Sequence, residues 1–141
     1  MEIRLQRQNQ AFHFEAQNEH GNTISFDSHN PEIGGQGKGF GPMETVAAAI
    51  GACSAIDIGV ILGKQKQEIK DFRIKIDAQR AKDQVPKVFT EIHITYELHG
   101  EIEEAKAQRA IELSISKYCS VSKMIEKTAN IRYSLILNPT S

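Results

Sequence analysis

The chain has 141 residues, with 17 Lys and Arg against 18 Asp and Glu and a formal charge of −1, a balance that excludes strong attraction to nucleic acid or to an anionic membrane surface. An apolar share of 40% and a charged share of 25% are ordinary for a folded chain and exclude disorder. The length suits one domain over residues 1–141, enough to bury roughly two-thirds of the surface exposed on unfolding.

The opening Met1-Glu2-Ile3-Arg4-Leu5-Gln6-Arg7 has no apolar run of the secretory kind. With two cysteines, this points to a reducing, cytoplasmic setting, where a functional thiol pair is expected in place of a permanent disulfide. Ile3 and Leu5, then Phe12, Phe14 and Ala16, alternate with polar residues, the period of a half-buried strand. A turn through Gly21 leads to Ile24 and Phe26, so residues 11–27 read as a hairpin. Residues 28–41 carry five glycines but lack the Gly-Lys-Ser/Thr ending of a phosphate loop, and no strong strand directly precedes them. A mobile loop lining a site is the expectation there.

Pro42 suits the first position of a helix that runs from Met43 to about Gln65. This helix is apolar on nearly every side, which predicts burial on all sides. Its apolar stretch from Val46 to Leu62, interrupted by Ser54 and Asp57, is short for a bilayer. Phe72, Ile74 and Ile76 form a second strand pattern, and Ile92, Ile94, Tyr96 and Leu98 a third. Residues 103–118 return to helical spacing, with Ala107, Ala110, Ile111 and Ser114 on one face, and Ser120 suits the cap of a short helix through Ile125. Ile131, Tyr133, Leu135 and Leu137 close the chain as a strand, giving an α+β order.

Cys53 lies in the apolar helix, where a free cysteine packs like a small hydrophobe. Cys119 sits before a helix start with Lys117 and Lys123 close in sequence. Both features stabilise a thiolate, so local charge makes Cys119 the more acidic thiol. Glu44, in the first turn of the helix, complements the helix dipole. The histidines His13, His20, His29, His93 and His99 show no ligand spacing, so no metal site is expected. No Gly-x-Ser-x-Gly element supports a serine hydrolase.

Gly41-Pro42-Met43-Glu44, followed by an Ala-rich helix reaching Cys53, resembles the family of osmotically inducible protein C and organic hydroperoxide resistance protein. Tyr118-Cys119-Ser120-Val121-Ser122-Lys123 resembles that family's second cysteine motif, with Ser120 in place of the usual proline. Gly41 stands where related proteins often carry arginine, and Lys38 is the cation that the preceding loop offers. The resemblance implies a fold of buried central helices packed on antiparallel sheets in an intertwined two-fold dimer. It also implies a thiol-dependent peroxidase that uses no cofactor and serves in the antioxidant stress response. Cys53 would attack a small organic hydroperoxide, Cys119 would resolve the sulfenic acid as a disulfide, and an external dithiol would reduce it. Glu44 and Lys38 would assist, and Phe40, Met43, Ile50 and Met124 would form an apolar substrate pocket. The alternative is a non-catalytic member that binds a small apolar ligand and has redox-sensitive thiols. Glu44 and Cys53, nine residues apart on one helix, project from nearly opposite faces roughly 13 Å apart along its axis. A homodimer with a site shared between chains accommodates that separation.

Overall fold

The computed structural model describes residues 1–140, in two compact units, one from Met1 to Val46 and one from Ala47 onward. In the first unit, β1 (Arg4–Arg7), β2 (Phe14–Gln17) and β3 (Thr23–Phe26) form an antiparallel sheet in the order β1-β2-β3. The expected hairpin is present, pairing Phe14 with Phe26 and Gln17 with Thr23. Its turn is organised by the Asn18 carboxamide, whose Oδ1 accepts from the N–H groups of His20 and Asn22, and Gly21 adopts φ +86°. The half-buried strand expected around Ile3 and Leu5 is not found. All of β1, an edge strand of its three-stranded sheet, is exposed, Leu5 at 58%.

The Gly-rich segment also departs from expectation: it is pinned in place. The buried Asp27 carboxylate accepts the Ser28 N–H at 2.7 Å through Oδ1 and the Lys38 N–H at 3.0 Å through Oδ2. Asn30 caps a 3₁₀ turn at Pro31–Ile33, and Phe40 bridges Phe26 on β3, one residue before Asp27. At Gly39 a Cβ would collide with the Ser25 carbonyl, so glycine alone lets the loop run against β3.

α1 (Pro42–Lys64) begins at the end of the first unit and opens the second. Its sequence predicts burial on all sides, but its buried residues, Ile50, Gly51, Ser54, Ile58 and Leu62, form one stripe. Ala52, Ile56, Val60 and Gly63 on the other side are exposed. The stripe faces a sheet of β4 (Glu68–Arg80), β5 (Phe89–Glu101) and β6 (Asn130–Leu137), in the order β4-β5-β6. Gly51 sets the close approach, since a Cβ there would fall 2.7 Å from Ile76 Cδ1 on β4. β5 is the central strand, and Ile92, Ile94, Tyr96 and Leu98 on one face are fully buried.

α2 (Glu104–Leu113) buries Ala107, Ala110 and Ile111, as its spacing predicts. A π-helical turn (Ser114–Tyr118) and α3 (Ser120–Ile125) follow. β6 then lies parallel to β5, Ile92 opposite Ile131. The second sheet is therefore mixed where an antiparallel one was expected, because the helical crossover returns the chain in the same direction. The α+β class stands.

Candidate active site

The π-helical turn delivers one of the two thiols. It closes when the Cys119 N–H donates to the Ser114 carbonyl, five residues back, at 2.7 Å. The chain then leaves the helix, and Cys119, at φ −74° and ψ 107°, becomes the N-cap of α3. Its sulfur accepts the Ser122 N–H at 3.3 Å, while Ser122 Oγ ties back to the Ile115 carbonyl at 2.7 Å. Sequence reasoning gave that cap to Ser120. The extended backbone falls one residue earlier, so the thiol sulfur takes the place of a hydroxyl.

Cys53 is half-buried beside the inner stripe of α1. Its neighbour Ser54 is fully buried, donating to the Ile50 carbonyl at 2.7 Å and accepting from the Tyr96 hydroxyl at 2.7 Å. Burial pushes the Tyr96 phenol up to about 12. One turn beyond Cys53 stands Asp57, whose Oδ2 accepts from Ser114 Oγ at 3.0 Å. The sulfurs of Cys53 and Cys119 and a carboxylate oxygen of Asp57 all lie within 4.8 Å of one another. Both thiols are free. The structure thus gathers the two cysteines, 66 positions apart in the chain (119 − 53), and adds a carboxylate.

Burial works against the expectation of an acidic Cys119 thiol. Cys119 is fully inaccessible, and burial pushes its thiol up. Hydrogen bonding and charge from Cys53 push the same way, against the lowering by the Ser122 and Val121 N–H groups. The nearby lysines are engaged elsewhere, Lys123 with Glu126 at 3.4 Å and Lys117 over the Tyr118 ring at 5.2 Å.

The residues assigned to a substrate pocket differ in burial. Ile50 is fully buried in the core stripe, and Met124 on α3 is 68% exposed. A cleft of about 430 Å³ that Asp57 lines is walled also by Val60, Ile61, Lys64, Leu113 and Tyr118, with Gln65. Asp57 was missed because it registers in the sequence only as an interruption of an apolar run. The i, i+4 spacing of Cys53 and Asp57 was the available signal.

In the first unit Lys38 and Phe40 are exposed and Met43 is half-buried. Glu44 closes the start of α1, its Oε1 accepting the Gly41 N–H at 2.7 Å and pairing with His29 Nε2 at 2.8 Å. This is the back-bond of a capping box, from the third helical residue to the cap. The Gly41 N–H first, then His29, holds the carboxyl below the usual carboxylate range.

Residues 35–134 match the family model described as OsmC-like protein. Over 94 residues, 66% of this chain and 69% of the relative, the sequence is 42% identical to Protein YhfA of Escherichia coli K12. The crystal structure of a hypothetical protein from Aquifex aeolicus superposes with a TM-score of 0.82 at 34% identity, covering 96% of this chain and 94% of that one. An organic hydroperoxide resistance protein from Elizabethkingia anophelis shares the fold at a TM-score of 0.68 and 15% identity, covering 99% of this chain and 97% of that one.

Proposed function

The chain belongs to the OsmC-like protein family, and on that premise we propose that it is a thiol-dependent peroxidase acting on organic hydroperoxides through Cys53 and Cys119. The observation that carries this reading is the convergence of the two sulfurs, within 4.8 Å, from α1 and from the end of the π-helical turn. Disulfide formation brings sulfurs to about 2.05 Å, so the closing movement is a few ångströms.

Cys53, the more accessible thiol, attacks the outer peroxide oxygen as thiolate. The O–O bond breaks, the alcohol leaves with a proton, and the sulfur becomes a sulfenic acid. Cys119 then attacks that sulfur, the S–S bond forms and water is lost. An external dithiol restores both thiols and is itself oxidised to a disulfide. Burial of Cys119 suits the resolving role, because its partner sulfur is already beside it and bulk oxidants are not. The protein is proposed to work as a cytoplasmic homodimer. Glu44, Lys38, Phe40 and Met43 carry assignments drawn from the family resemblance, and the capping geometry of Glu44 supports a role in setting the start of α1.

A second reading, the binding of a small apolar ligand without turnover, is favoured by Asp57. Its carboxylate lines a cleft whose walls also include Val60, Ile61 and Leu113. Turnover of an alkyl hydroperoxide with dithiothreitol separates the two. The peroxidase reading expects activity with a preference for the alkyl substrate over hydrogen peroxide, lost in Cys53→Ser. Wild-type protein without turnover above the Cys53→Ser background overturns it in favour of ligand binding.

A further inference from the structure

Asp57 is the part of this cluster that thiol chemistry does not explain. Three anionic or potentially anionic groups, Cys53, Asp57 and Cys119, present their donor atoms within 4.8 Å of one another. The carboxylate is held there and is not free to swing away, because Ser114 Oγ donates to its Oδ2 at 3.0 Å. Three such donor atoms at this spacing form a pocket that one cation can bridge.

We propose that the reduced protein binds one thiophilic divalent cation of the zinc class through Cys53 Sγ, Cys119 Sγ and an Asp57 carboxylate oxygen. Cys53 and Asp57 are one helical turn apart and share a face of α1, the i, i+4 arrangement that lets one helix supply two ligands. Cys119 comes from a rigid support, with the Ser122 N–H on its sulfur and the π-helical turn closed behind it. Tetrahedral zinc with bonds of about 2.3 Å to sulfur and about 2.0–2.2 Å to oxygen sets sulfurs roughly 3.8 Å apart. The present spacing is therefore within about an ångström of a ligand cage. Ser114 supplies the outer hydrogen bond that orients a ligating carboxylate. Two thiolates select zinc-class ions over magnesium and calcium. Asp57 also walls the open cleft of about 430 Å³, which gives the ion an entry path and leaves the fourth position to water.

The binding step is M²⁺ plus two thiols giving the bis-thiolate complex and two protons. It needs no oxidant and does not depend on peroxide turnover, although a disulfide between the same cysteines would eject the ion. The full chain, reduced under anaerobic conditions and titrated with Co²⁺, is expected to show one equivalent of sulfur-to-cobalt charge-transfer absorption with tetrahedral d–d bands. Zn²⁺ should displace the cobalt, and about two protons should be released per ion. Each Cys→Ser variant should lose most of the charge-transfer intensity, and Asp57→Asn should weaken binding at least tenfold with unchanged far-ultraviolet circular dichroism. Ser114→Ala, which frees the carboxylate without removing it, should weaken binding less than Asp57→Asn. No charge-transfer band in the reduced wild type, or Asp57→Asn binding cobalt as tightly as wild type, overturns the proposal. If Asp57→Asn misfolds, Ser114→Ala decides, and full wild-type affinity there overturns the oriented-carboxylate site. Because metal binding is read without peroxide, a protein that binds the ion yet fails to reduce hydroperoxides overturns the peroxidase reading alone.

Discussion

Cys119 is placed by backbone and burial together, and its reactivity follows from both. A helix N-terminus lowers a thiol pKa by offering N–H groups, and the Ser122 N–H does reach the sulfur. Full burial removes the water that would otherwise solvate a thiolate, and that effect is the larger. The expected consequence is an order of labelling. With the folded, reduced protein near neutral pH and limiting iodoacetamide, Cys53 should be alkylated first and Cys119 should lag at least tenfold. The lag should vanish in denaturant, and raising the pH should speed Cys119 in the native state, because its thiol titrates above the ordinary range. Mass spectrometry of tryptic peptides reads both sites. Equal or faster native labelling of Cys119 would mean that its helix-end charge outweighs burial.

Elements in this chain are organised by single polar side chains, and Asp27 is the clearest case. Its carboxylate holds both ends of the Gly-rich loop, and the Lys38 N–H is the main reason its pKa is lowered, with the Ser28 and Gln36 N–H groups adding to it. A carboxyl whose folded pKa lies below its unfolded value, about 3.9, stabilises the fold above that unfolded value. The contribution is lost as pH falls through the folded pKa. Asp27→Asn should therefore lower the denaturation midpoint at pH 7, and the gap to wild type should close in strongly acidic buffer. A gap that is constant with pH would mean that loop packing, not the carboxylate charge, carries the effect.

The same scale shows what was legible from sequence. Period-two runs such as Ile92–Leu98 announced β4, β5 and β6, and Pro42 announced the start of α1, because those signals are local. The cysteine pair came through its flanking motifs. Asp57 did not, since its meaning arises only when α1 meets the π-helical turn. The Cys119 cap was missed for a similar reason: a five-residue closing bond shifted the helix start by one position.

At the scale of the molecule, the chain leaves unsatisfied apolar surface. α1 is long and apolar enough to cross a membrane, yet most of its apolar length is not buried. Ile56 is 68% and Val60 51% exposed, and a Cβ at Gly59 or Gly63 would meet nothing within 4 Å. In the first unit Leu5 and Ile24 are likewise exposed. A bilayer is a poor account of this surface, because the opposite stripe of α1 is tied to β5 by the Ser54–Tyr96 hydrogen bond and to β4 by the Gly51 approach. The proposed homodimer would cover it: a two-fold contact would set the same small and apolar face against itself, and small residues allow close approach. Burying one Ile side chain contributes roughly 1.5–3 kcal/mol, and a two-fold contact counts Ile56 twice. Ile56→Lys should therefore shift a micromolar dimer strongly toward monomer by sedimentation velocity. Gly59→Ala supplies the converse test. On a helix with a free outer face it would stabilise the chain by about 1 kcal/mol through helix propensity. Seated against a partner, the added methyl crowds the contact and weakens the dimer. A wild-type protein that sediments as a monomer at micromolar concentration, and that gains stability from Gly59→Ala, would show that this face is free in solution and would remove the homodimer from the proposal.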